Sequence, residues 1–279
     1  MTGQLLTPDT FRHLCRSSPW RWQSLRFELR RHDPDAAGES VWDTTREAGE
    51  APSEPGRRSA ERLIPASEVA AMNCWVRRPG ALRVETLDGL LLASTTKINN
   101  SKDSLFISGN RKPWLLPPTM ANPVKDGNGY VVRRPEALYG EPAFGSGRFA
   151  AALDPAELAG ERPVPLEVPF ANVAEVEAIS MVEHNGRTAM DAILTPNPSY
   201  TPLFPAAPLL YPGRTAVRID LETAVCVASR SLDGETAGAG HAILIRGIDE
   251  YMLDDLFEEV SMGLTDVRAH IPWDLGPHS

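Results

Sequence analysis

Glu183, His184 and Asp191 flank the dipeptide Asn185–Gly186, and a histidine between carboxylates is the set from which an acid–base pair is built. No nucleophile stands at a recognisable spacing from them. Asn-Gly is itself a hairpin signal, so turn chemistry accounts for the group without catalysis. Asp254, Asp255, Glu258 and Glu259 could gather a cation, but calcium loops need a glycine turn that this stretch lacks. Gly145, Gly147 and Arg148 in "FGSGRF" are a weak likeness of a phosphate loop with no clear strand before them. There is no G-x-S-x-G, no G-x-x-x-x-G-K-[ST] and no H-E-x-x-H. Cys15, Cys74 and Cys226 are far apart, form no C-x-x-C and pair with no histidine at useful spacing. Cys74 and Cys226 lie in apolar, strand-like runs and read as small buried hydrophobes. The expectation is no catalytic residue, no metal and no cofactor.

One pattern remains. "VRRPGALRVE" (Val76 to Glu85) returns as "VRRPEALYGE" (Val132 to Glu141), each with two arginines before a proline. It is either an anion-binding device or a basic strand end. After the second copy, "YGEPAFGSG" continues no strand pattern, so that echo reads as coincidence.

The elements that must position these residues are mostly strands. Thr7 as cap, Pro8 at the first position and Asp9 in the first turn predict a short helix, ended by Pro19. Trp20, Trp22, Leu25, Phe27 and Leu29 then fall largely on one side of an extended segment. Residues 33–68 are rich in Gly, Pro, Ser, Glu and Arg and predict a long loop insertion. "MNCWVRR", "ALRVETL" and "LLLASTT" read as strands, the last two joined at Asp88–Gly89, and "DSLFISG" as another. "PWLLPPTMANP" is a proline-rich loop, and Arg148 to Leu153 and Pro155 to Ala159 are helix candidates.

The second half repeats the plan. "VAEVEAISMVEH" and "RTAMDAIL" form the strongest hairpin signal, and "TPNPSYTPLFPAAPLLYPG" carries six prolines among large apolar residues. Such a loop either plugs one end of the core or rims a cavity, with the plug favoured. "TAVRIDLETAVCVASRSLDG" holds two strands and "GHAILIRGI" a third. Ile248, Met252, Leu256 and Val260 predict a closing helix with an acidic outer face, followed by a short tail.

Bulk properties narrow the partners. With 28 Lys plus Arg against 37 Asp plus Glu, the net charge of -9 repels nucleic acid and anionic membrane surfaces. No apolar run approaches the roughly 20 residues of a membrane span. The first residues show no basic-then-apolar signal peptide, so the expected location is cytoplasmic. At 279 residues the chain is expected to form a single domain with a sizeable core.

"CWVRRPGALRVETLDGLLLAST" resembles the early strands of the LolA-like lipoprotein-carrier superfamily, in which a basic-Arg-Pro element bends one strand into a hairpin. "NGRTAMDAILTP" and "VRIDLETAVCVASRSLDG" resemble its RseB-like and mycobacterial lipoprotein-like members, and the likeness runs in outline from Leu14 to Val260. It implies a mainly β (α+β) fold: a curved antiparallel sheet forming an incomplete β-barrel, with a few short helices on its concave side. It also implies a non-enzymatic module holding a hydrophobic acyl or lipid ligand. The ligand contacts would be Trp22, Phe27, Trp75, Leu82, Val84, Leu92, Trp114 and Phe204, and Arg78 would anchor the lid. The alternative is a regulatory protein-interaction module of RseB-like type, its partner docking on the proline-rich loops or the acidic terminal helix.

Overall fold

The computed structural model describes residues 6–32, 71–78, 80–95, 120–135, 150–160, 172–205 and 208–258. Alternation of apolar and polar residues decides most of it. In β1 (Ser24–His32) the side chains of Leu25, Phe27 and Leu29 enter the main apolar core, while Arg26, Glu28 and Arg30 alternate with them toward the other face. The same period of two runs through β2 (Ala71–Arg77) and β3 (Ala81–Thr86), where Met72, Cys74, Val76, Leu82 and Val84 enter that core. β4 (Leu91–Thr95), β7 (Ala174–His184), β8 (Arg187–Pro196), β9 (Thr215–Asp220), β10 (Cys226–Ser231) and β11 (Gly240–Ile248) complete one sheet. Its order is β4-β3-β2-β1-β11-β10-β9-β8-β7. Every neighbouring pair is antiparallel, and the sheet of nine strands does not close into a barrel. β5 (Val124–Lys125) and β6 (Val131–Arg133) make a small separate hairpin.

One face of the sheet is covered by helices. In α1 (Pro8–Cys15) the Thr7 hydroxyl accepts from Thr10 N at 3.1 Å and Pro8 occupies the first turn, as the cap signals predict. Phe11, Leu14 and Cys15 share one helical face and are fully buried. Leu153 of α2 (Ala150–Leu153) and Leu158 of the 3-10 turn Pro155–Ala159 join them.

The expected hairpin at Asn185–Gly186 is present, with φ of 51° and 74° at the two positions, the left-handed pair a type I′ turn requires. At Asp88–Gly89 the connection is four residues long rather than two, because Thr86 Oγ1 accepts from Leu90 N at 3.0 Å and closes the loop on itself.

Two expectations need correction. Trp20 lies not in β1 but in the 3-10 turn Ser18–Trp20, and the strand begins at Ser24. The closing helix is not there either. After β11 the chain crosses the sheet's other face as an irregular strap, with only a 3-10 turn at Asp254–Phe257. Its carbonyls are taken by the sheet, Met252 by Arg77 Nη1 at 2.6 Å, Leu256 by Arg83 Nη1 at 2.9 Å and Phe257 by Ser94 Oγ at 2.7 Å. Met252, from the helically spaced set, and Phe257, which is outside it, are the buried anchors, with Leu256 packed against them. The "DSLFISG" strand, the 33–68 insertion, the glycines of "FGSGRF" and the tail beyond residue 258 lie outside the described residues.

Gly186 tests the turn. Replacing it with Ala should cost about 1–2 kcal/mol in urea unfolding, because an L side chain resists its left-handed backbone. Gly127→Ala, with open space around the new Cβ and no positive φ, should stay within about 0.5 kcal/mol.

Candidate functional site

The two arginine motifs end at one place. Residues Arg16–Ser18 carry the chain from α1 into the 3-10 turn before β1. Arg78, just past β2, donates from Nη1 to the carbonyls of Ser18 (2.8 Å) and Trp22 (3.0 Å), and from Nη2 to Ser18 Oγ (3.2 Å). Its guanidinium lies 3.5 Å from the centroid of the Trp22 ring. Arg134, just past β6, donates from Nε to the Arg16 carbonyl at 2.9 Å and grips the Asp154 carboxylate with both Nη atoms. The arginine of the second motif therefore has a structural role at the same turn. β6 is only three residues long, too short to display the periodicity by which a strand is recognised in sequence.

The turn's own residues complete the knot. Ser17 Oγ donates to the His13 carbonyl at 2.7 Å and accepts from Val131 N at 2.8 Å. Ser18 Oγ donates to the Leu153 carbonyl and accepts from Trp22 Nε1 at 3.0 Å. Arg16 reaches the carbonyls of Ala159 and Val132. Burial, and next to it the positive charge of Arg134, pull the Arg16 guanidinium down to about 10. The helical cover, the main sheet and the small hairpin are thus joined at three consecutive residues.

Of the expected ligand contacts, Trp22, Phe27, Leu82 and Val84 are buried in the main core, with Leu92 packed against it. There they lie in one cluster with Phe11 and Leu14 of α1 and with Leu153 and Leu158. Trp75 is on the opposite face, against Ala81, Met252 and Phe257, because it alternates with Cys74 and Val76. It cannot share a cavity with the other five. Phe204 is partly exposed in the second proline-rich loop, and Trp114 lies outside the described residues.

That loop is a plug. Leu209 and Leu210 are buried in the core. The buried Glu157 carboxylate accepts from Tyr200 Oη (2.8 Å), Leu203 N (2.6 Å) and Leu209 N (3.1 Å). Burial and the Glu157 charge push the Tyr200 hydroxyl well above its ordinary range. Sequence reasoning missed Glu157, Asp154 and Arg218. The helix candidate "PAELA" contains the first, but nothing local marks it as an anchor.

His184 and Asp191 are not an acid–base pair. Arg218 stands between them, its Nε donating to Asp191 Oδ1 at 2.8 Å and its Nη1 facing His184 Nδ1 at 3.4 Å. His184 Nε2 lies 3.1 Å from Asn185 Nδ2 and 3.4 Å from the Ile243 carbonyl. β7 is four places from β11 in the sheet, so this contact requires the hairpin tip to curl over. Burial and Arg218 hold His184 below its usual range. His241 donates to the Cys226 carbonyl at 2.8 Å and accepts from Ser229 Oγ at 2.8 Å. Its enclosed ring is lowered to about 4, although the residue as a whole keeps some exposure.

Burial raises all three thiols, that of Cys226 to about 12, so they are protonated and unreactive near neutrality. Among the described residues no cluster of His, Cys, Asp or Glu could hold a metal ion, and no helix is long and apolar enough to cross a membrane. No protein-family model matches the sequence, and no curated protein matches it significantly.

Two measurements test this description. Arg134→Ala should cost about 3–5 kcal/mol by chemical denaturation, since it strips the buried Asp154 carboxylate of its guanidinium; Arg134→Met with Asp154→Leu should recover most of the loss. For pH, both depressed histidines favour the neutral form in the fold. Above pH 6.5 neither state takes up a proton, and below it the unfolded chain protonates first, so stability falls from about pH 6.5 toward 4.5, above most carboxylate titrations. His184→Gln should flatten that slope, and an unchanged slope would remove His184 from the account.

Proposed function

We propose that this chain is a non-enzymatic, LolA-like binding protein that takes a hydrophobic acyl or lipid ligand on the face of its sheet now covered by α1. The observation that carries the reading is the convergence of Arg78 and Arg134 on Arg16–Ser18, the turn that tethers the cover. A cover held by hydrogen bonds to backbone carbonyls can be released without unpicking the sheet. The side chains beneath it, Trp22, Phe27, Leu82, Val84 and Leu92, are the apolar lining such a ligand needs. Each methylene buried there would contribute about 0.8 kcal/mol. In this reading the molecule is in its closed state, with Phe11 and Leu14 in the ligand's place.

The alternative is a regulatory interaction module whose partner docks on the proline-rich loops or an acidic terminal helix; residues 113–119 of the first loop lie outside the described residues. The second loop is fastened by Glu157 and buries two leucines, and residues 249–258 form a strap against β2, β3 and β4.

Native mass spectrometry of the freshly purified chain should show a mass excess that vanishes on denaturation and extracts as lipid. Loosening the cover by Arg78→Leu should raise uptake of 11-dansylaminoundecanoic acid several-fold over wild type, with the fold intact by circular dichroism. An apo mass together with no uptake by either protein would sink the proposal.

A further inference from the structure

Beside the gripped turn, the 3-10 turn Ser18–Trp20 and the chain entering β5 enclose a surface pocket of about 370 Å³, within the range of small-molecule sites. Pro19, Trp20, Gln23, Asn122, Pro123 and Lys125 line it, and the two prolines stiffen its walls. It is separate from the apolar face beneath α1, since none of these residues belongs to the main core.

The lining groups have specific chemistry to offer. The Trp20 indole N–H is already given to the Ala121 carbonyl at 2.9 Å and the Arg134 guanidinium lies 5.9 Å from the ring centroid, so the ring offers a ligand its remaining π surface. Lys125 is the one lysine among the described residues, and no carboxylate there pairs with it. Its neighbour Asp126 is occupied by His13 Nδ1 at 2.8 Å and by the amides of Asn128 and Tyr130, both at 2.9 Å. The carboxamides of Gln23 and Asn122 likewise have no protein partner among the described residues. Gln23 is nevertheless fixed in place, because its backbone N–H donates to Asp249 Oδ1 at 2.6 Å and its carbonyl accepts from Arg78 N at 2.8 Å.

An indole face alone would attract cations as well as rings. The lone ammonium beside it turns cations away and favours an anion. Each carboxamide can donate to a carboxylate oxygen. We infer that this pocket binds a small aromatic carboxylate, its ring on Trp20, its carboxylate on Lys125 and the carboxamides of Gln23 and Asn122 around it. The site is independent of the carrier reading, because its ligand would never enter the space under α1.

The test is isothermal titration of the full chain with 2-naphthoate, with the neutral 2-naphthalenemethanol as comparison. Wild type should bind the acid saturably at one site per chain. Lys125→Gln should weaken it on the order of five-fold, the scale of an exposed ion pair. Asn122→Asp should weaken it further by adding a like charge. The alcohol should bind wild type more weakly than the acid and should not respond to Lys125→Gln. Both substitutions are at exposed positions, so the fold should persist. Absence of saturable binding to wild type would overturn the inference. So would acid binding that both variants leave unchanged, since the ring would then be entering the apolar face under α1 instead.

Discussion

Three backbone carbonyls, those of Arg16, Ser18 and Trp22, are each claimed by an arginine from elsewhere in the chain, and the rest of the structure depends on that claim. The end of a helix leaves carbonyls without intrahelical partners, and burying them unpaired is costly. Guanidinium groups suit the task because they carry several donors in a fixed plane and sit favourably at the negative end of a helix. Taking an arginine out of water costs several kcal/mol, which Arg78 offsets with three hydrogen bonds and the face of Trp22, and Arg134 with Asp154. Arg78 directly follows a strand of the main sheet and Arg134 a strand of the small hairpin, so the turn is tied to both.

The two faces of the sheet then do different work. The face under α1 is apolar from β3 to β8, and the helices and the proline-rich plug close it. The other face is polar over β1 and β11, where Glu28 is held by Arg30 and Arg246. Over β2 and β3 it carries a small second cluster built on Trp75 and sealed by the C-terminal strap. Only displacement of the helical cover would expose the apolar face.

Some of this was legible in sequence because its causes are local. The cap of α1, the alternation of β1 to β3 and the Asn-Gly turn each rest on residues within a few positions of one another. The same alternation places Leu25, Phe27 and Leu29 of β1 on the core face. Trp75 does not join them, because the parity of its strand sends it to the other side. The closing helix was misread because helical spacing at Ile248, Met252, Leu256 and Val260 competes with carbonyl-binding side chains on three distant strands.

The functional part of the structure divides along the same line. The sequence by itself determined a mainly β sheet of antiparallel hairpins, a capped N-terminal helix, and two arginines set before prolines. Only the tertiary structure decided that those arginines meet at one turn, that Glu157 anchors a loop about 45 residues further on, and that Arg218 separates His184 from Asp191. The physical reason is that periodicity reports which face a side chain takes. Its partner is set by where distant segments cross, and a guanidinium, a buried carboxylate and a carbonyl have no spacing in sequence that records their meeting.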